Sequence, residues 1–580
     1  MAQARRIKIT MNMDEDRLVN YAIKTLRDSE DDNQRIATLF LVLKLNPEKL
    51  RNHHKFVDLY MSITPSFIYR LLKSSMTESP ELAEIELGLE ILSYFLVHPR
   101  IAESKEIGRL VECCINTCRT GLADSKDIRA CLHNIISYVG SMNPKAIMLK
   151  DLIKYFQLIQ YSSALEADRI IENCKIVLSK PHQDTLGFVA DVCECSKSLK
   201  AEVKFKTYDL LFLGLSRVTG IPTHFDRLGS MIDHVSLCLK TSNPVHGISI
   251  QILALLFTHC PFGTVFQHVK NKSEVDLWLS LCLIEIDLFL NKMIVESKFV
   301  GQFPVNIESS LYVIEILVNQ TDYELCPKSC SSVVEFSKFI LQILRDHEVK
   351  LFDESIFGDI TTPLYRIICF TIAGSINNLE FEDFTNFFHV TAKIIETEKV
   401  ENDNLVRWIL PLLSNIPDSS SVKYFTVDDR FTDVICTLFH QYAIDYREDL
   451  CFVNSEVFEN FLLGIYRYVS HEAIGVYDFG SLHHDIIQFC EACQNKLMAK
   501  NEALAYMLGT YLCHRNILDT DLVKSWLSVL SGRKILNIID LGMFSLTFLE
   551  ELVSLLKRNP EFMKDDFAIS QIERSVYLSK

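Results

Sequence analysis

Ser79-Pro80-Glu81-Leu82-Ala83-Glu84-Ile85-Glu86-Leu87-Gly88-Leu89-Glu90-Ile91-Leu92-Ser93-Tyr94-Phe95-Leu96 is the stretch that decides the fold class. Leu82, Ile85, Leu89, Leu92 and Leu96 recur at steps of three and four, which lines up one apolar stripe on a helix. The opening Ser-Pro supplies the start. A serine oxygen accepts a bond from an orphan backbone N–H, and a proline at the first helical position loses no donor that the helix needs. The same form, a capping residue before proline, recurs at Asn46-Pro47, Thr64-Pro65, Asn143-Pro144, Asn243-Pro244 and Asn559-Pro560, so helix starts are expected along the whole chain.

Leu541, Phe544, Phe548, Leu552 and Leu555 repeat the stripe near the other end. Between these ends the pattern predicts helices at about 103–119, 145–160, 201–217, 275–295, 333–346, 381–397, 456–469 and 501–513. No strand pair interrupts them. With only 19 Gly and 15 Pro in 580 residues, turn residues are too sparse for an all-β chain of many short strands. Ile252, Leu253, Leu255, Leu256 and Phe257 put apolar groups on two faces of one helix, as expected of a helix sandwiched between neighbours. The chain is also too long for one compact core. The reading is an all-α, armadillo/HEAT-like helical-repeat solenoid whose repeats are too degenerate to show a period, with unrelated helical bundles as the alternative.

Residues 1–13 read as a flexible N-terminal tail carrying Arg5, Arg6 and Lys8, and 14–580 as one continuous array. A hinge is expected at 415–429, where Pro417 and Asp418 precede Ser419 to Ser421. Val300 to Asn306, with Gly301 and Pro304, is a second candidate connection.

The net charge of −16, from 59 basic and 75 acidic residues, opposes the phosphate backbone of nucleic acid and the anionic inner leaflet. No direct nucleic-acid partner is expected. The 18 cysteines are too dilute for a disulfide scaffold. Cys174, Cys238, Cys282 and Cys369 lie in apolar stretches, where a free thiol behaves as a small hydrophobe, and a reducing compartment follows. Met1 to Met13 lacks a signal-peptide apolar region and Ala2 excludes myristoylation, so the sequons at Asn271 and Asn319 read as chance matches. Thr241 to Val269 is uncharged, yet Pro244, His246, Gln251, His259, Pro261, Gln267 and His268 interrupt it, which leaves Ile248 to Phe257 as a buried helix rather than a membrane span.

No phosphate-binding glycine loop, HExxH helix, nucleophile elbow or kinase signature is present. A noncatalytic protein without cofactor, metal or catalytic residues is therefore expected, and an enzyme assembled from distant side chains ranks last. His483, His484, Cys490 and Cys493 are the best metal-like group, but no second pair stands at zinc-finger spacing, and a helix with two semi-buried cysteines is preferred. Cys113, Cys114 and Cys118, like Cys326 and Cys330, read as core packing; acylation there requires exposure. Phe381, Phe384, Phe387 and Phe388 form a core ridge at helical spacing, and Tyr466, Tyr468 and Tyr477 are a second aromatic group. An exposed stripe of this kind would take a partner helix or extended peptide, but the sequence assigns no partner-binding residue.

Asp31-Asp32-Asn33-Gln34-Arg35 followed by Ile36 to Lys44 (IATLFLVLK) resembles the opening of the neurochondrin family, an acidic turn and then a helix of the kind FAALLLVTK. Glu86 to Phe95 (ELGLEILSYF) with His98-Pro99-Arg100-Ile101-Ala102 resembles the family's next apolar helix and turn, and Leu311 to Asn319 (LYVIEILVN) is a weaker third match. The resemblance implies an armadillo-like cytoplasmic scaffold, found in neurons and other cells, that modulates neuronal signalling and neurite outgrowth. Its implied partners are receptor cytoplasmic tails and a calmodulin-dependent kinase, and its implied locations the cytoplasm and neuronal projections. One departure is plain. Vertebrate members carry an N-terminal cysteine pair that can be palmitoylated, whereas the first cysteine here is Cys113. Membrane visits would then depend on partners. The alternative reading is a structural subunit of a larger assembly, such as a ribonucleoprotein or transport complex.

Overall fold

The computed structural model describes residues 15–397 apart from short stretches at 46–49, 51–54, 74–81, 120–124, 241–245, 297–303, 320–325, 347–357 and 376–378, together with Val553, Ser554, Lys557, Ser570 and Glu573. Several expected features lie outside these residues. They are the 1–13 tail, the 415–429 hinge, Gly301, the helices at 456–469 and 501–513, and the Leu541 to Leu555 stripe. The Pro pairs at 46–47, 79–80, 243–244 and 559–560 also lie outside. Two compact units divide the chain, Met1–Trp278 and Leu279–Lys580.

In the first unit the helices are α1 Glu15–Asp28, α2 Asp32–Leu43, α3 Phe56–Ile63, α4 Pro65–Lys73, α5 Leu82–Phe95, α6 Pro99–Ala102, α7 Ile107–Arg119 and α8 Lys126–Met142. They continue as α9 Leu149–Gln157, α10 Ala164–Leu178, α11 Thr185–Ser196, α12 Ala201–Leu215, α13 Leu228–Leu239, α14 His246–His259, α15 Phe262–Gln267 and the start of α16 Lys272–Glu296. Two rows result. The α1, α3–α4, α7, α9, α11 and α13 helices pack in sequence in one row, while α2, α5, α8, α10, α12 and α14 pack in the other. Each helix also contacts its hairpin partner across the rows, as α4 does α5 and α11 does α12. In the second unit α17 Val305–Val318 packs on α19 Gly358–Ser375, and α18 Pro327–Asp346 packs on both α19 and α20 Phe381–Thr397. The described residues contain no strand. The described residues form an all-α helical-repeat structure.

The repeat step that the sequence hides appears in the polar bonds between successive hairpins. Arg129 Nε meets Glu166 at 3.2 Å, 37 residues on; Lys206 meets Asp168 at 2.5 Å, 38 residues apart; Arg227 meets Asp191 at 2.5 Å, 36 apart. Lys175 with Asp209 and Lys240 with Glu274 are each 34 apart, and Lys270 with Asp233 is 37 apart. Arg129 with Glu166 is largely buried, but the more exposed pairs, such as Lys206 with Asp168 and Arg227 with Asp191, contribute only about 0.2–1 kcal/mol each, so these mark the register more than they hold the stack together. Apolar burial holds it. Ile250, Ile252, Leu253, Leu256 and Phe257 of α14 are all buried, two faces of one helix at once.

Helix starts follow local chemistry more closely than the Pro pairs alone. Pro65 does open α4, but Thr64 adopts φ 63 and its carbonyl, not its hydroxyl, receives Phe67 N–H at 3.0 Å. Asn143-Pro144 opens only a 3-10 turn, Pro144–Ala146, and the Asn143 amide instead donates to the Ala102 carbonyl at 3.4 Å. The helix expected from 145 therefore begins at Leu149. Side-chain caps fall where no proline follows. Asp31 accepts from Asn33 N–H at 3.0 Å, Ser125 accepts from Ile128, and Ser163 with Glu166 closes a reciprocal capping box. The helix expected over 103–119 is broken by a turn after Ala102 and resumes at Ile107. The 14-residue α14 spans about 21 Å, and no described helix is long and apolar enough to cross a membrane.

Buried polar groups tie the rows to one another. His133 Nδ1 and the Tyr155 hydroxyl are 2.7 Å apart, while the Asn173 amide donates to that hydroxyl at 2.9 Å and to the His133 carbonyl at 2.8 Å. Tyr208 stacks on His234 with ring centroids 5.1 Å apart and donates to its carbonyl at 3.3 Å. Trp278 Nε1 donates to Ser236 at 3.2 Å.

His133 and His234 are 3% and 1% exposed, and burial lowers both imidazoles from 6.5 to about 4. The unfolded chain then binds more protons than the native one between these values, so stability falls as pH drops from about 6.5 toward 4. The expected loss at pH 5 is about 2 kcal/mol per histidine. Urea midpoints at pH 7 and 5 check this: His234→Phe keeps the ring stack, removes two unpaired buried nitrogens and should halve the acid sensitivity. An unchanged pH dependence would contradict a buried neutral imidazole. A second expectation concerns α7, where a Cβ on Gly108 would lie 2.8 Å from the Ala146 carbonyl oxygen. Gly108→Ala should therefore lower stability by about 1–3 kcal/mol despite alanine's better helix propensity, read as a fall in thermal midpoint.

Candidate functional site

Neighbouring helices α4 and α7 turn their apolar faces inward: Phe67, Ile68, Leu71 and Leu72 on one, Ile107, Val111, Cys114, Ile115 and Cys118 on the other. The opposite faces leave a cleft of about 1060 Å³. From α4 it is lined by Pro65, Ser66, Tyr69, Arg70 and Lys73, which follow the three-to-four step of a helix face. From α7 and the residue before it come Glu106, Arg109, Leu110, Glu112, Cys113, Asn116, Thr117 and Arg119. The Thr117 hydroxyl donates to the Leu72 carbonyl at 3.1 Å and ties the two walls together.

The charged groups differ in how they are used. Arg70 pairs with Asp32 at 3.2 Å and lies 5.4 Å from the Phe67 ring centroid. Lys73 lies 5.4 Å from the centroid of Tyr69, a ring 40% exposed. The Asn116 side chain accepts from Lys154 at 3.2 Å. Arg109 and Arg119 are exposed and form no ion pair with any described residue. The cleft thus holds four basic and two acidic side chains, the reverse of the chain's overall balance.

Cys113 is half-buried in this wall. Burial raises its pKa against the opposing influence of the Thr117 hydrogen bond and the Lys73 charge, so it is a thiol at neutral pH. A thiolate nucleophile is not poised there. The arrangement suits binding: exposed forked donors, one aromatic wall and a floor closed by a buried hydrogen bond.

Cys114 and Cys118 fall in the core as expected, with burial pushing Cys118 up to about 12 and Cys114 well above its ordinary value. Cys326 and Cys330 are half-buried, and Cys326 Sγ accepts from the Ser329 N–H at 3.4 Å at the start of α18. Phe384, Phe387 and Phe388 are buried, with Phe387 stacked on Tyr365 at 5.9 Å. The described cysteines are free, and among the described residues no group of three or more His, Cys, Asp or Glu could hold a metal. His483, His484, Cys490, Cys493, Tyr466, Tyr468 and Tyr477 lie outside the described residues. The tail residues Arg5, Arg6 and Lys8 also lie outside them, and sequence reading missed the basic cluster formed by Lys73 with Arg109, since 36 positions separate the two. Only the repeat step could have signalled it.

Solved structures give loose likenesses. An engineered protein shares 11% identity, with 78% of this chain and 99% of that chain covered at a TM-score of 0.44. A chain from the structure of Kap95p binding to RanGDP shares 10%, covering 98% of this chain and 70% of its own at 0.38. A circular tandem repeat protein shares 11%, covering 97% and 94% at 0.13. The repeat assignment rests instead on the row-by-row packing above. No curated protein matches the chain significantly. The neurochondrin family model matches residues 14–183, a segment that holds α1 to α10, the cleft, and the stretches Asp31 to Lys44 and Glu86 to Ala102, though not Leu311 to Asn319. Over residues 14–183 this chain is similar to the neurochondrin family.

Proposed function

We propose that this protein is a noncatalytic scaffold or adaptor that binds signalling proteins along its helical repeats and thereby modulates neuronal signalling and neurite outgrowth. The observation that carries this reading is the α4/α7 cleft, which lies inside the neurochondrin-family segment and offers unpaired arginines and an exposed tyrosine to a partner. Stacked repeats present extended surfaces of this kind, because each added hairpin contributes one more exposed helix face beside the last. Receptor cytoplasmic tails and a calmodulin-dependent kinase are the partners that the family resemblance favours. The cytoplasm and neuronal projections are the corresponding location, with membrane contact made through partners.

Proximity labelling with the tagged chain in its native cells, followed by direct-binding measurements with purified candidates, tests this reading. Saturable binding of the isolated chain to a receptor tail or kinase, with an exchanging free pool, is the expected result. Co-migration of nearly all the protein with one fixed large assembly would overturn the adaptor reading in favour of a structural subunit.

A further inference from the structure

We infer that the α4/α7 cleft takes an extended segment of a partner protein carrying two phosphorylated side chains, one seated against Arg109 and the other against Arg119. This rests on the protein-binding reading above and names the chemistry of the ligand. The starting observation is Arg109. Arg70, Lys73 and Arg119 stand in the last turns of their helices, where a cation complements the partial negative charge of the helix end. Arg109 stands in the first turn of α7, which contains no acidic residue, and there the helix end carries partial positive charge. It is exposed and forms no ion pair with any described residue, although Glu106 precedes the helix and Glu112 follows three residues on, so its guanidinium keeps its donors for a ligand. An anion beside it would take them.

Spacing and sign narrow the ligand. Ten residues separate Arg109 from Arg119, about 15 Å along the helix, which an extended peptide covers in four to five residues at about 3.3–3.6 Å each. Glu112 lies between the two arginines and Glu106 before them, so continuous negative charge is repelled and two separated anions are favoured. A polynucleotide would set phosphates against both carboxylates of a chain with net charge −16. A phosphorylated side chain presents three acceptor oxygens and close to two charges to a forked guanidinium, more than a carboxylate supplies. Tyr69, partly exposed and capped by Lys73, gives the intervening peptide an apolar wall.

The test uses the full chain and fluorescence anisotropy with labelled nine-residue degenerate peptides fixed as phosphoserine at the third and seventh positions. Matched libraries carry serine or glutamate at those positions, and a short single-stranded oligodeoxythymidine is the polyanion control. The phosphorylated library should bind at least about tenfold tighter than the serine library, with glutamate between them. The double variant Arg109→Glu/Arg119→Glu should lose at least about tenfold, whereas Lys180→Glu/Arg217→Glu, which alters net charge equally outside the cleft, should change little. Thermal midpoints establish that both variants fold. Equal binding of all three libraries, equal losses in both double variants, or tighter binding of the oligonucleotide would overturn the inference. Partners found by labelling that bind the cleft variant undiminished would also overturn it while leaving the adaptor reading intact. Phosphopeptide binding without any direct protein partner would sink the adaptor reading alone.

Discussion

Every helix of the first unit depends on the helix one hairpin further along its row. A single hairpin here has too much apolar surface for its own partner to cover: α14 buries residues on two faces, and α12 does the same with Tyr208, Leu210, Leu211 and Leu215. Stacking covers the surplus, and the buried polar bonds then fix how neighbours sit. The Tyr155 hydroxyl is fully enclosed and reaches His133 on α8 and Asn173 on α10. Leaving such a group unpaired costs about 1–3 kcal/mol, so a slipped or rotated neighbour is penalised even when its apolar area is still covered. Burial thus gives the stack its stability, and these bonds give it a register.

The same stacking creates the candidate binding surface. Adjacent exposed helix faces form a trough wherever their outward side chains are not interlocked. Between most neighbours the outward charges meet in pairs, as Arg227 meets Asp191 and Lys270 meets Asp233. Between α4 and α7 the basic residues outnumber the acidic ones, and two arginines are left over. A local excess of positive charge on a strongly acidic protein focuses anions toward one place, which selects among partners more sharply than a uniformly basic surface does.

Much of the fold was legible in the sequence. The 381–397 helix matched residue for residue, because Phe384, Phe387 and Phe388 share one face that buries as a unit. The boundary at 145 was misread because Asn143-Pro144 has the composition of a helix start, yet its amide is drawn off by the Ala102 carbonyl 41 residues away. The repeat period was invisible for a related reason. The pairs that mark it mix Arg with Lys and Asp with Glu and fall at separations of 34 to 38 residues, so no fixed motif recurs even though the geometry does.

The sequence by itself determined that the chain would be helical throughout the described region, that its cysteines there would be buried or half-buried and free, and that its N-terminal segment resembles the neurochondrins. Those properties follow from local spacing, side-chain polarity and short stretches of likeness, all contained within a helix or two. Tertiary structure alone decided the two rows, the step of 34–38 residues between bonded partners and the meeting of Lys73 with Arg109 and Arg119 across one cleft. Those depend on which helix faces pack together. That choice is made by shape and buried polar partners contributed by different hairpins, and no single stretch of sequence contains both sides of it.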